Sequence, residues 1–324
     1  MKEKEFNITE FYIAITNRCN LQCIMCTTGK GKYDSQKELT TDEWIKLISN
    51  LDESCKIQRV TFGGGEPLLR NDTTEIMKFA CSTDISTVNI ISNGMLLDEK
   101  FMKNFTEQEL RKMQIIFSID GLEYNHNFIR GSLVFQEVFK NFELLYHNYF
   151  KNQRINHLQI SSILMPENFA GYSSFLDFLK QYKGVRVDIQ PVIPNNELCY
   201  VRGNFRLTEE EKTRLREIIS YVLENPELSS RPATLIKYYA EYFDNRLIKS
   251  GRCLTGFESL NITFEGYPYL CGKEIHMPLH QFDFKTVFHS VEYQAELERI
   301  KTCKEPCLQG LHINPENDYI QQVI

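Results

Sequence analysis

The chain has 324 residues, of which 42% are hydrophobic and 25% charged, with a formal net charge of −6. That length buries a sizeable core without disulfide staples, as one large domain with an appendage or as two domains. The acidic balance and the lack of a long basic run weigh against a nucleic-acid partner, and no stretch is apolar enough to span a membrane.

The opening Met1-Lys2-Glu3-Lys4-Glu5 carries both charge signs and is no signal peptide, so the expected location is cytoplasmic. Phe11–Ile15 reads as a first strand, followed by a helix over Glu43–Asn50. Val60–Phe62 is a second strand, cut off by Gly63-Gly64-Gly65, with a helix over Thr74–Cys81. Val88–Ile91 and Ile115–Ile119 are strands three and four, each followed by helix, the later one over Leu133–Tyr149. His157–Ile160 and Val185–Ile189 complete six strand–helix repeats. This alternation predicts an α/β fold with a parallel sheet, curled by right-handed crossovers into a partial (βα)6 barrel. The expected organisation is a barrel core over 1–206, a helical linker over 207–250 and a small terminal domain over 251–324. In the last, Ser259–Phe264 and Tyr267–Leu270 predict a hairpin turning at Glu265-Gly266, with a helix near Val291.

Ten cysteines in such a chain point to metal or redox chemistry rather than a disulfide framework. Cys19, Cys23 and Cys26 form a CxxxCxxC in the loop after the first strand. Three close thiolates can wrap an iron–sulfur cluster and leave one iron open, whereas zinc prefers paired CxxC with a fourth ligand. The spacing favours iron–sulfur over zinc. Cys253 and Cys271 flank the terminal hairpin, and with the CxxxC pair Cys303 and Cys307 they suggest a second metal site, with zinc as the alternative. Cys55, Cys81 and Cys199 are scattered; Cys199, just after the sixth strand, reads as structural, with a thiol hydrogen donor as the alternative. The glycines after strand two let backbone approach a ligand closely, or simply make a tight turn.

With its flank Ile15-Thr16-Asn17-Arg18, the first cysteine group closely resembles the opening motif of the radical S-adenosylmethionine (SAM) superfamily. Gly63-Gly64-Gly65-Glu66 resembles that family's GGE motif, and Ser118-Ile119-Asp120-Gly121 with His126 and Ile129-Arg130-Gly131 resembles its SIDG…H…IRG segment. The resemblance implies that Cys19, Cys23 and Cys26 hold a [4Fe-4S] cluster whose fourth iron is chelated by SAM. It implies SAM-binding roles for Gly64, Gly65, Glu66, Ser92, Asn93, Ser118 and Arg130, while Asp120 and His126 shape the turn. The Gly-x-x-x-x-Cys piece ending at Cys271 resembles the SPASM extension, in its short twitch form, which implies a second, auxiliary [4Fe-4S] cluster. The closing pair at Cys303 and Cys307 is spaced CxxxC, where twitch extensions often have CxxC.

The implied reaction is reductive cleavage of SAM to a 5′-deoxyadenosyl radical that abstracts a substrate hydrogen. Relatives with an auxiliary cluster suggest oxidation or cross-linking of a peptide; dehydrogenation or epimerisation of a sugar or aminocyclitol is the alternative. A non-catalytic iron–sulfur protein is the competing class. The implied partners are a peptide or small-molecule substrate, an electron donor such as flavodoxin or ferredoxin, and a separate leader-peptide recognition protein. The last follows because only about ten residues precede the first strand, too few for a built-in recognition domain. The general base is not assigned; Gln190, at the end of strand six, is a pocket candidate on the rule that parallel barrels build sites at strand C-termini.

Overall fold

Strand sequences with buried residues on both faces dictate a sheet covered on its outside. A computed structural model shows that sheet and describes residues 5–26, 37–193, 206–249, 253–304, 308 and 320–322. Cys199 and Cys307, singled out from the sequence, lie outside the described residues.

The strands are β1 (Glu10–Thr16), β2 (Arg59–Gly64), β3 (Thr87–Ser92), β4 (Met113–Ser118), β5 (His157–Leu164) and β6 (Arg186–Pro191). Farther along come β7 (Leu247–Lys249), β8 (Ser259–Ile262), β9 (Pro268–Leu270), β10 (Lys273–Glu274) and β11 (Ile320–Gln322). The main sheet has the order β10-β9-β8-β1-β2-β3-β4-β5-β6, and β7 pairs with β11 separately. Strands β1 to β6 are parallel neighbours in sequence order, as the repeating strand–helix pattern predicts. The sheet ends at β6 and β10 and is a partial barrel.

The hairpin of β8 and β9 forms as predicted. It is not detached from the core: β8 pairs parallel with β1, Phe11 opposite Leu260 and Ile13 opposite Ile262. The terminal region therefore extends the same sheet on the far side of β1.

Helices between the strands cover the outer face. Helix Thr41–Ser54 starts at a capping box in which Thr40 and Glu43 satisfy each other's backbone N–H. Its Trp44, Leu47, Ile48 and Leu51 recur at the 3–4 spacing of one helix face and are buried. Helix Glu123–Arg130 stops at Gly131, whose φ of 69° is the left-handed conformation that favours glycine. The predicted 133–149 helix is Phe135–Leu145 continued by a π turn over Tyr146–Phe150. These helices place their ends so that the loops after β1 to β4 gather at one end of the sheet, where parallel barrels carry sites.

Candidate active site

The CxxxCxxC loop leaves β1 at Thr16 and is held by backbone on two sides. On one side it meets the glycine run after β2. Gly65 N–H donates to Thr16 C=O at 2.7 Å, and Glu66 N–H donates to Arg18 C=O at 2.6 Å. A Cβ on Gly65 would lie 2.1 Å from that Arg18 oxygen. The glycine at this position thus serves the approach of two backbones, the cluster loop and the β2 end. On the other side, Ile24 N–H donates to Ile129 C=O at 2.9 Å, and the Gln22 carbonyl fills the space a Cβ on Gly131 would need. The loop is pinned between two parts of the chain that are far apart in sequence, the end of β2 and the end of helix Glu123–Arg130, so its thiols are presented in a fixed place.

Cys19, Cys23 and Cys26 carry no disulfide. Burial pushes the Cys19 thiol up, and the neighbouring Cys23, Glu66 and Cys26 push it further. Burial also raises Cys23, while the Arg130 guanidinium pulls the other way. Arg130 Nη1 donates to Cys23 Sγ at 3.7 Å. Its Nε lies 2.7 Å from Asp120 Oδ2, and that aspartate is fully buried. Asp120 Oδ1 accepts from Ile163 N–H at 2.8 Å, and Asn168 Nδ2 donates to the Asp120 carbonyl at 2.8 Å. The Asp120 amide donates to His126 Nδ1 at 3.3 Å. Burial drives His126 down to about 3, so it is neutral at ordinary pH.

Glu66 is fully buried. Its Oε1 accepts from Ser92 Oγ at 2.9 Å and Leu68 N–H at 3.2 Å, and its Oε2 from Asn93 N–H at 2.8 Å. Burial raises its carboxyl against these donors. Glu66, Ser92 and Asn93 are thus brought together as a staple from the β2 loop to the end of β3. Asn93 Nδ2 reaches on to Asn20 Oδ1 in the cluster loop at 2.7 Å. Tyr12 supports the glycines from below, its hydroxyl accepting from Gly64 N–H at 2.7 Å.

Ser118 closes β4, half-buried and paired in register with Ser161 of β5, which is paired with Asp188 of β6. Paired residues of neighbouring strands share a face, so the three form one polar layer. Gln190 donates to Asp188 Oδ2 and buried Arg231 to Asp188 Oδ1, both at 2.6 Å.

The terminal cysteines stand at the other edge. Cys253 is buried and donates to Thr255 Oγ1 at 3.4 Å. Cys271 is exposed, with φ at 46°, between β9 and β10. Cys303 follows helix Val291–Lys301. Their segments pack together: Leu270 and Leu297 both crowd Gly256, and Arg299 Nη2 donates to the Cys271 carbonyl at 3.0 Å. Among the described residues no three His, Cys, Asp or Glu side chains converge on a point that one ion could occupy. Thiolates around a four-iron cube stand farther apart than the ligands of one ion. The three free thiols of one loop, within electrostatic reach of each other and backed by a cationic donor, suit such a cluster.

A strand–loop unit that presents three thiols at the mouth of a partial parallel barrel defines a cluster-binding α/β class. Residues 13–197 match the family model described as the radical SAM superfamily. That match covers more than half of the chain, and the chain belongs to the radical SAM superfamily. It is similar to the PqqA peptide cyclase of Bradyrhizobium diazoefficiens, 40% identical over 105 residues, which are 32% of this chain and 27% of that protein. It is also similar to the GTP 3′,8-cyclase of Lactiplantibacillus plantarum, 29% identical over 218 residues, 59% of this chain and 64% of that one. The match thus spans about a quarter of the first relative and under two thirds of the second. Among solved structures, Streptococcus suis SuiB bound to S-adenosylmethionine superposes with a TM-score of 0.66 at 13% identity, over 90% of this chain and 68% of that one. Native anSMEcpe with bound AdoMet gives 0.66 at 16%, over 97% and 93%. At such identities these two show the fold alone.

Proposed function

We propose that this chain is a peptide-modifying radical SAM enzyme with two iron–sulfur clusters. Cys19, Cys23 and Cys26 hold the cluster that binds SAM; Cys253, Cys271, Cys303 and Cys307 hold an auxiliary cluster that accepts the electron left after hydrogen abstraction. When bound, the first cluster and SAM supply one-electron cleavage to a 5′-deoxyadenosyl radical, which removes a hydrogen atom from the substrate. The carrying observation is the cluster loop, pinned by Gly65 and Gly131 at the mouth of the barrel and backed by Arg130. In this reading Gly64 and Gly65 present backbone to SAM, while Glu66, Ser92 and Asn93 fix that backbone through the bonds they share. Ser118, Ser161 and Asp188 face the substrate as one polar layer, and Arg231 holds the Asp188 carboxylate.

A peptide substrate is supported by the relative named as a peptide cyclase, and the auxiliary cluster by the packing of the three described terminal cysteine segments. A flavodoxin or ferredoxin would supply the electron. The test is anaerobic reconstitution with iron and sulfide, reduction with dithionite, and detection of 5′-deoxyadenosine and methionine. A deuterated peptide substrate should pass its label into 5′-deoxyadenosine. Protein that carries the cluster and binds SAM but forms no 5′-deoxyadenosine would favour the non-catalytic class.

A further inference from the structure

We propose that Arg130 is a positioning residue that tunes the N-terminal cluster through a direct N–H···S bond to Cys23, with Asp120 as its buried counter-charge. This rests on the reading that Cys23 ligates iron. Sequence resemblance alone assigns Arg130 to SAM; the geometry gives two of its nitrogens other partners.

The guanidinium is fixed from three directions. Its helix, Glu123–Arg130, ends at Gly131, and Gly131 is packed on the Gln22 carbonyl of the cluster loop. Its Nε sits 2.7 Å from Asp120 Oδ2. Its Nη1 points at Cys23 Sγ, 3.7 Å away. Asp120 cannot swing aside, because Ile163 N–H holds its other oxygen and Asn168 its carbonyl. Both side chains are inside the protein, Asp120 at 0% and Arg130 at 8% exposure. At such sites charge acts with less screening than at the surface.

Hydrogen bonds to cluster sulfurs and nearby charge are among the levers that set an iron–sulfur potential. A donor and a positive charge at Cys23 favour the reduced, more negative cluster. They therefore raise its midpoint potential. A negative charge on Asp120 opposes this. Removal of the two charges should thus move the potential in opposite directions, which a merely structural pair would not do.

The experiment is an anaerobic redox titration of the reconstituted full-length protein without SAM, followed by electron paramagnetic resonance. The N-terminal cluster's signal is identified as the one that SAM alters. Arg130→Met should shift the midpoint to lower potential than wild type, and Asp120→Asn, which keeps an acceptor for Ile163, to higher. Arg130→Lys keeps the charge but not the planar fork, and should fall between Arg130→Met and wild type; it decides the matter if Arg130→Met fails to assemble. An unshifted midpoint in the arginine variants, or a shift of the same sign in Arg130 and Asp120 variants, overturns the proposal. If wild type takes up no cluster that responds to SAM, the functional reading itself fails. A normal wild-type cluster with unmoved variants sinks this inference alone.

Discussion

Replacing Gly65 by alanine should unseat the cluster loop while the barrel stands. The new Cβ would meet the Arg18 carbonyl oxygen at 2.1 Å, its carbon at 2.6 Å and the Asn17 carbonyl carbon at 2.9 Å. All three are backbone, so no side chain can turn away. To restore ordinary contact, the loop must back off by about 1 Å, and overpacking of this kind costs about 1–3 kcal/mol. The same movement strains two hydrogen bonds, Gly65 N–H to Thr16 and Glu66 N–H to Arg18, each worth about 0.5–1.5 kcal/mol net. The total expected loss is about 2–6 kcal/mol, concentrated at the loop. Urea unfolding measures the stability, and iron content with the SAM-induced spectral change measures the site. The control is Gly184→Ala, with φ at 87° and only the Phe150 ring nearby, just before the opposite end of β6. It should cost about 1–2 kcal/mol from left-handed strain and leave the cluster untouched. A Gly65→Ala protein with wild-type iron and an unchanged response to SAM would refute the argument that this glycine serves the cluster loop.

Two further outcomes follow from the same geometry. His126 is held neutral down to about pH 3, so between its ordinary 6.5 and that value the unfolded chain binds the extra proton and stability falls as pH falls. By pH 5 the loss from this group is about 2 kcal/mol. Urea curves of wild type and His126→Gln should therefore diverge between pH 7.5 and 5, wild type losing more; parallel losses would contradict this. The double variant Cys253→Ser, Cys271→Ser should lose about half its iron while the SAM-responsive signal persists. Full iron retention there would remove those two residues as ligands.

The periodic parts of this fold were plain in the chain. Six strands and their helices repeat in order, and β1 to β6 pair as neighbours in that order, because each βα unit buries its apolar strand locally. The pairing of β8 with β1 was not legible, since nothing in Ser259–Ile262 names a partner almost 250 residues earlier. Within the site, spacing identified the thiols and the glycines, but not the reason for the glycines. Gly65 reads as room for a ligand, while its structural neighbour is the Arg18 carbonyl. Glu66 reads as a binding group, and three donors from Leu68, Ser92 and Asn93 hold it inside. The Arg130–Cys23 contact joins residues 107 apart and depends on how helix Glu123–Arg130 lies across the loop. Asp120 and Asn168 carried only a turn signal or none in the sequence. Their role appears when β4, β5 and that helix end are brought side by side.

In the proposed function the thiols of the first loop leave an iron for SAM. The most direct measurement of this is the resonance spectrum of the dithionite-reduced protein with and without SAM, using SAM labelled with nitrogen-15 in its amino group. The spectrum should change on addition and show a hyperfine coupling to the label, both lost in the Cys19→Ala, Cys23→Ala, Cys26→Ala variant. A reduced cluster with no coupling to the labelled nitrogen, or zinc in place of iron on those thiols, would contradict it.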